Sequence, residues 1–464
     1  MPESMEFTDR EDQIRQTAGG RIKVGMVSLG CSKNLVDSER MLFKLRKAGF
    51  ELVTEPGLAD VAVVNTCGFI KSAKEEAIET ILELGELKKD GTLKKIIVTG
   101  CLVERYKEQI AEEFPEADAV IGIGSSKDIV DVLRSVLGGQ RYINFAPKLD
   151  MELTGERLIS TLPFFSYLKV AEGCSNCCTY CAIPKIRGKF RSVPIEDVVK
   201  EARWLAENGV TELVVIAQDT SRYGEDIYKE NKLPELLRQL CRIDGLKWIR
   251  TLYCYPERIT DELLETIAAE EKLVKYLEIP IQHCNGGILK RMNRWGDAES
   301  LEALFAHIRS KIPGVILRTT LITGFPGETE EQFNELAEFI QRVRFDRLGC
   351  FAYSREEETA AYDFPGQIDE ETAEHRAEII MEQQLLVSQE NNSRQLGTIH
   401  TAVVEGFDRY GEYWFGRTAM DAPDIDGKVF FSSERRLYIG EYVKIRITDT
   451  LDYDLIGEVI DDEA

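Results

Sequence analysis

Three cysteines, Cys174, Cys178 and Cys181, stand within GCSNCCTYCAIP at the spacing C-x3-C-x2-C, in a chain with eleven cysteines among 464 residues. Thiolates are the side chains that suit iron–sulfur clusters. The count of three decides what such a cluster can do. A structural zinc site closes with four ligands, and an electron-transfer cluster normally does too. The four histidines, His283, His307, His375 and His400, all lie outside this loop. A four-iron cluster on three thiolates keeps one iron open for a substrate or cofactor. Cys177 offers a second frame, since Cys174, Cys177 and Cys181 read C-x2-C-x3-C.

Three further cysteines share a position rather than a spacing. Cys31 ends VSLGC, Cys67 ends VVNTC and Cys101 ends IVTGC. Each follows the C-terminal end of a strand signal, and strand ends on one edge of a parallel sheet are spatial neighbours where α/β folds bind ligands. Gly30, Gly68 and Gly100 sit beside them and let the backbone turn or approach a bulky group. Three buried core cysteines would show no such common placement, so a metal site is the reading. Cys241, Cys254, Cys284 and Cys350 are scattered singly and read as small buried hydrophobes.

The elements that must position these residues fall into three segments after a polar leader, residues 1–20, expected to be flexible. Residues 21–145 alternate near-continuous apolar strands with amphipathic helices, the pattern of a parallel sheet covered on both faces. A Pro-containing connector leads to a second α/β run, residues 160–390. Its six strands suit a partial (β/α)6 barrel with the Cys174 loop directly after the first strand, at the face where barrels place their chemistry. A long polar helix near 369–395 precedes residues 396–464, whose short, Gly-punctuated strands predict a small antiparallel β-barrel.

The C-x3-C-x2-C loop resembles the radical-SAM superfamily, and SLGCSKN, NTCGFI and TGCL resemble the N-terminal domain of its methylthiotransferases. YCYPERI, EIPIQH, LRTTLITGFPGETEEQF and FAYSREEETAAY extend the likeness over almost the whole chain, and the tail resembles the TRAM domain. The resemblance selects Cys178 over Cys177 and implies two [4Fe-4S] clusters, one on Cys174, Cys178 and Cys181 and one on Cys31, Cys67 and Cys101. S-adenosyl-L-methionine (SAM) would bind the open iron of the barrel cluster and yield a 5′-deoxyadenosyl radical. The N-terminal cluster would hold the sulfur that replaces a hydrogen, with a flavodoxin or ferredoxin as electron donor. Gln218, Arg318 and Thr320 are the expected SAM contacts, a structural hydrogen bond or salt bridge being the alternative. LITGFPGETEEQF also reads simply as a tight turn and a helix cap.

The family divides into tRNA-modifying enzymes and a RimO type, which modifies the β-carbon of an aspartate on small-subunit ribosomal protein twelve. Overall the chain carries 58 basic and 81 acidic residues, a net charge of −23, which disfavours phosphate backbones. Residues 396–464 hold 15 acids against 7 bases, where a tRNA reader needs a surplus of Lys and Arg. AMDAPDIDG, with Asp421, Asp424 and Asp426, resembles the RimO-type tail, and a basic ribosomal protein would complement it. The leading expectation is therefore a RimO-type transferase, with tRNA disfavoured as substrate and a tRNA adenosine methylthiotransferase as the alternative. From another class, a non-catalytic iron–sulfur electron carrier would not cleave SAM. No run of apolar residues is long enough for a membrane helix and no signal peptide stands at the start, so a cytoplasmic protein is expected.

Overall fold

The computed structural model describes residues 21–460. The 1–20 leader lies outside the described residues. Two compact units emerge. The first takes the chain up to Ser160 together with Glu172–Ser175 and Cys181–Arg191, and the second takes Thr161–Ala171, Asn176–Tyr180 and everything from Ser192 onward.

In the first unit, β1 (Lys23–Ser28), β2 (Glu51–Val53), β3 (Val61–Thr66), β4 (Lys95–Gly100), β5 (Ala119–Ile121) and β6 (Tyr142–Asn144) form one sheet in the order β2-β1-β3-β4-β5-β6. Every pairing is parallel. The apolar runs VAVV and KIIV explain this, because alternate residues feed opposite faces. Ala62, Val64, Ile96 and Val98 pack with Ala77, Ile81 and Leu84 of α2 (Lys71–Lys89). Val61, Val63 and Ile97 pack on the other face with Met41 and Leu45 of α1 (Ser32–Lys47) and with Val132, Leu133 and Val136 of α4 (Ile129–Leu137). Each such Val, Leu or Ile contributes about 1.5–3 kcal/mol by leaving water. Between them, α3 (Cys101–Tyr106) leaves β4 with no intervening loop. The unit also includes the short α5 (Ile183–Arg187).

The second unit holds β7 (Phe165–Lys169), β8 (Glu212–Ile216), β9 (Trp248–Thr251), β10 (Leu273–Glu278), β11 (Ile316–Thr323) and β12 (Arg347–Ala352), hydrogen-bonded in chain order as a six-stranded, all-parallel sheet that does not close. After β11 the chain turns through Gly324 and Gly327, both at positive φ, into α6 (Glu330–Val343). Thr329 and Gln332 there form a reciprocal capping box, so GETEEQF does serve as a helix start. The long helix α7 (Glu370–Ser393) is capped by Asp369.

The tail closes into a five-stranded barrel, with β13 (Ile399–Asp408), β14 (Tyr413–Thr418), β15 (Val429–Ser432), β16 (Tyr442–Thr450) and β17 (Leu455–Val459) in the order β13-β14-β15-β17-β16. All neighbours are antiparallel except β15 and β17, which pair in parallel because β16 returns to β13 and leaves that edge to close the barrel.

The acidic loop of the tail is not the free docking surface its composition suggested. The Asp421 carboxylate lies 2.6 Å from Arg347 of β12, and Asp426 lies 2.8 Å from Arg318 of β11 and accepts the Tyr276 hydroxyl at 2.7 Å. Asp424 accepts the Tyr167 hydroxyl at 3.0 Å. Arg417, on β14, is likewise buried against Glu212 at 2.8 Å. Cations and hydroxyls inside the parallel sheet need acceptors, and the tail loop supplies them.

Candidate metal centres

Strands β1, β3 and β4 are neighbours, so their C-terminal ends bring Cys31, Cys67 and Cys101 to one edge of the sheet. Cys31 is exposed, Cys67 half-buried and Cys101 buried. The thiols feel one another. Burial raises the Cys67 thiol and pushes Cys101 up to about 12, and the neighbouring thiols add to both shifts. At Gly30, φ is +85°, and a Cβ there would stand 2.7 Å from the Cys67 Cβ and 2.9 Å from its sulfur. At Gly68 a Cβ would strike the Leu102 backbone at 2.6 Å. These two glycines let the loops approach as closely as they do.

Side chains the sequence reading did not single out hold the loops together. Asn34 donates to the carbonyls of Leu29 at 3.0 Å and Thr66 at 2.9 Å, tying the loop before Cys31 to the residue before Cys67. Asn65 donates to the Asn34 carbonyl and the Ser38 hydroxyl, each at 2.9 Å. Arg187 at the end of α5 is 2 % exposed. Its Nε donates to the Cys101 sulfur at 3.3 Å, and its Nη1 lies 2.7 Å from Asp37 and 3.4 Å from Glu172. Burial opposes its charge, but Cys101, Glu172 and Asp37 outweigh burial and hold it protonated. Asn34 stands in SLGCSKN, so only its place in a motif could have flagged it; a single cation in IPKIRGK carries no such signal.

Among the described residues, no group of three or more His, Cys, Asp or Glu side chains is disposed to hold one metal ion. Three cysteines at adjacent strand ends, a glycine-thinned cradle and a buried guanidinium against the Cys101 sulfur suit a thiolate-held iron–sulfur cluster.

The second trio comes from one short stretch whose ends belong to the first unit and whose middle belongs to the second. In the first unit the Cys174 amide donates to the Gly188 carbonyl at 3.0 Å, and the Gly173 amide donates to Glu172 at 3.2 Å. Cys181 lies two residues before α5. In the second unit Cys178 is buried, 3.7 Å from the Tyr255 hydroxyl and 3.9 Å from Arg294, whose guanidinium stacks 4.0 Å over the Tyr255 ring. Cys177 is exposed at φ +53°, and its carbonyl accepts from Asn293 at 3.2 Å. Asn176 donates to Asp219 at 2.8 Å, and Thr179 bonds the Met292 and Arg291 carbonyls, so this stretch is anchored to the turn after β8 and to the end of the short helix Gly286–Met292. The Cys178 sulfur thus has two polar partners, Tyr255 and Arg294, and Tyr255 sits in the YCYPERI segment.

Gln218 is half-buried in the turn after β8. Arg318 and Thr320 alternate on the partly open face of β11. The Arg318 guanidinium, however, is committed to Asp426 and lies 3.7 Å from Glu278, the salt-bridge alternative for that residue. Of the single cysteines, Cys241, Cys254 and Cys284 are buried and Cys350 is half-buried.

Three family descriptions match in chain order: the uncharacterized protein family UPF0004 over residues 23–122, the radical SAM superfamily over 168–340, and the TRAM domain over 396–460. The radical SAM methyltransferase TsrM from Kitasatospora setae, solved with cobalamin and a [4Fe-4S] cluster, shares the fold with a TM-score of 0.54 at 14% identity, covering 82% of this chain and 80% of TsrM. Fold and cysteine loop together define a radical-SAM protein. Among curated relatives, the ribosomal protein uS12 methylthiotransferase RimO of Lachnoclostridium phytofermentans is 49% identical over 94% of this chain and 99% of its own length. The protein of the same name from Clostridioides difficile is 48% identical over 95% of this chain and 99% of its own length. The chain belongs to the RimO family of radical-SAM methylthiotransferases.

Proposed function

We propose that this protein transfers a methylthio group to the β-carbon of an aspartate on ribosomal protein uS12. The observation that carries the reading is the pair of three-cysteine sets within a chain alike to RimO proteins from end to end. Cys174, Cys178 and Cys181 hold the cluster that binds SAM, and Cys31, Cys67 and Cys101 hold the second. Burial of Cys178 beside Tyr255 and Arg294, with Cys177 facing solvent, favours Cys178 as the ligand. When bound, the clusters and SAM supply the radical, the sulfur and the methyl group. The protein's share is to place the open irons and exclude water. Gln218 and Thr320 are the side chains offered to SAM, and a flavodoxin or ferredoxin supplies electrons in the cytoplasm. A net charge of −23 supports a basic protein substrate over tRNA.

Mass spectrometry of ribosomal proteins and tRNA from a deletion strain tests this. Loss of the methylthio group from uS12, with tRNA modification intact, is expected. Loss of methylthioadenosine from tRNA instead would assign the other substrate and leave the radical chemistry standing.

A further inference from the structure

Arg187 is buried beside a cluster ligand, yet neither its residue type nor the reaction demands it there. A guanidinium that merely holds two elements together has all its donors on carboxylates or carbonyls. Arg187 divides them. Nη1 reaches Asp37 of α1 and Glu172, Nη2 donates to the Asn34 side-chain oxygen, and Nε donates to the Cys101 sulfur at 3.3 Å. Asp37, Glu172 and Asn34 are themselves buried, at 6 %, 0 % and 1 % exposure. The planar fork is therefore fixed on three sides, with Nη1 also 3.8 Å from the Met151 sulfur, and its Nε–H points at the Cys101 sulfur. A lysine has no such rigid fork and could not reproduce the arrangement.

We infer that Arg187 is a positioning residue of the N-terminal cluster, orienting the Cys101 thiolate and drawing electron density from it; the inference rests on the cluster assignment proposed above. Hydrogen bonds to ligating sulfurs and nearby positive charge favour the reduced, more negative cluster, so Arg187 raises its potential. They also slow ligand loss, because the sulfur is held in the geometry the iron needs. The same residue connects two parts of the chemistry through covalent structure. It lies six residues after Cys181, and Glu172, which it grips, lies two residues before Cys174. Arg187 thereby contacts the Cys101 sulfur and the segment before the radical-SAM loop from the segment after it, all within the first unit.

The test isolates one cluster. The parent is the full chain with Cys174, Cys178 and Cys181 replaced by Ala, reconstituted anaerobically with iron and sulfide. Arg187→Gln removes the charge and the Nε–H to sulfur, while Arg187→Lys keeps the charge between Asp37 and Glu172 and loses that Nε–H. In both, iron retention against a chelator should fall about 10–100-fold, the span found when the partner of a metal ligand is removed. The midpoint potential, followed by EPR during dithionite titration, should shift negative, further in the Gln variant. Thermal unfolding of the apo forms separates folding from cluster effects, and the Lys variant should lie nearer the parent there. Wild-type retention and potential in both variants would overturn the role of Arg187. A parent that takes up no iron at all would instead overturn the cluster assignment itself.

Discussion

Replacing Asp426 with Asn should destabilise the fold and leave docking of uS12 unchanged. The Asp426 side chain has no exposed area, and three donors converge on its carboxylate: Arg318 at 2.8 Å, the Tyr276 hydroxyl at 2.7 Å and the Ala422 amide at 2.8 Å. At 2.8 Å and an effective dielectric constant near 20, the ion pair amounts to about 6 kcal/mol before desolvation is counted. Removing one partner of a buried pair typically costs about 3–5 kcal/mol, because the other charge stays buried. Asn preserves shape and one acceptor oxygen, so the lower end, about 3 kcal/mol, is expected. Asp421→Asn should behave alike, with Arg347 as the stranded cation. Asp424→Asn is the internal control. That residue is exposed, sits at φ +66°, which Asn tolerates, and loses only a hydroxyl contact worth about 1 kcal/mol. Urea unfolding followed by tryptophan fluorescence reads the ranking, and titration with purified uS12 reads docking. If all three variants weaken uS12 binding alike with no loss of stability, the loop is a docking surface and the packing argument fails.

Alanine at Cys174, Cys178 and Cys181 together should halve the iron of reconstituted protein and abolish SAM cleavage, whereas alanine at Cys31, Cys67 and Cys101 should also halve it yet leave SAM cleavage without sulfur insertion; unchanged iron in either contradicts that trio. Cys177→Ser should keep both clusters and Cys178→Ser should lose one, and the reverse ranking would move the frame to Cys177. Burial lowers His283 from 6.5 to about 3, so the unfolded chain takes up a proton that the folded chain refuses. Its contribution to stability is complete above about pH 6.5 and is lost as pH falls toward 3; His283→Gln should flatten this acid limb, although Glu328, 3.6 Å away and itself raised by burial, tilts the lower part of the window the other way. An acid-unfolding curve identical to wild type would refute the assignment.

The parallel sheets were legible because their residues obey short-range rules. VAVVNT is buried at all six positions, and a strand hidden on both faces must be apolar throughout. Thr329, followed by Gln332, announced a helix start that any local reading catches. The parallel pairing of β15 with β17 was not legible, since it depends on which strand fills the neighbouring edge and not on either strand's own pattern. Nor was the fate of the acidic loop. Composition reports the charge of Asp421 and Asp426 but not that Arg347 and Arg318, more than seventy residues earlier, neutralise them. The tail's net charge of −8 therefore overstates what its surface presents, and the case for a protein substrate rests on family membership and on the charge of the whole chain.

The two cysteine sets are built by opposite means, and this explains why one was plain in the sequence and the other was not. Cys174, Cys178 and Cys181 lie in one loop, so their spacing is itself the signal. Cys31, Cys67 and Cys101 are drawn together only by the strand order, in which β1, β3 and β4 are adjacent. A set made from three strand ends is only as firm as the loops between them, and those loops are held by buried amides and one guanidinium. Asn34 spans from the loop before Cys31 to the residue before Cys67, and Arg187 reaches Cys101 from a segment that begins at Cys181. Buried polar groups of this kind are tolerated only when every donor is used. It follows that substitutions at Asn34 or Arg187 should loosen the N-terminal centre, by the roughly 10–100-fold typical of a ligand's partner, without removing it as loss of the ligands does.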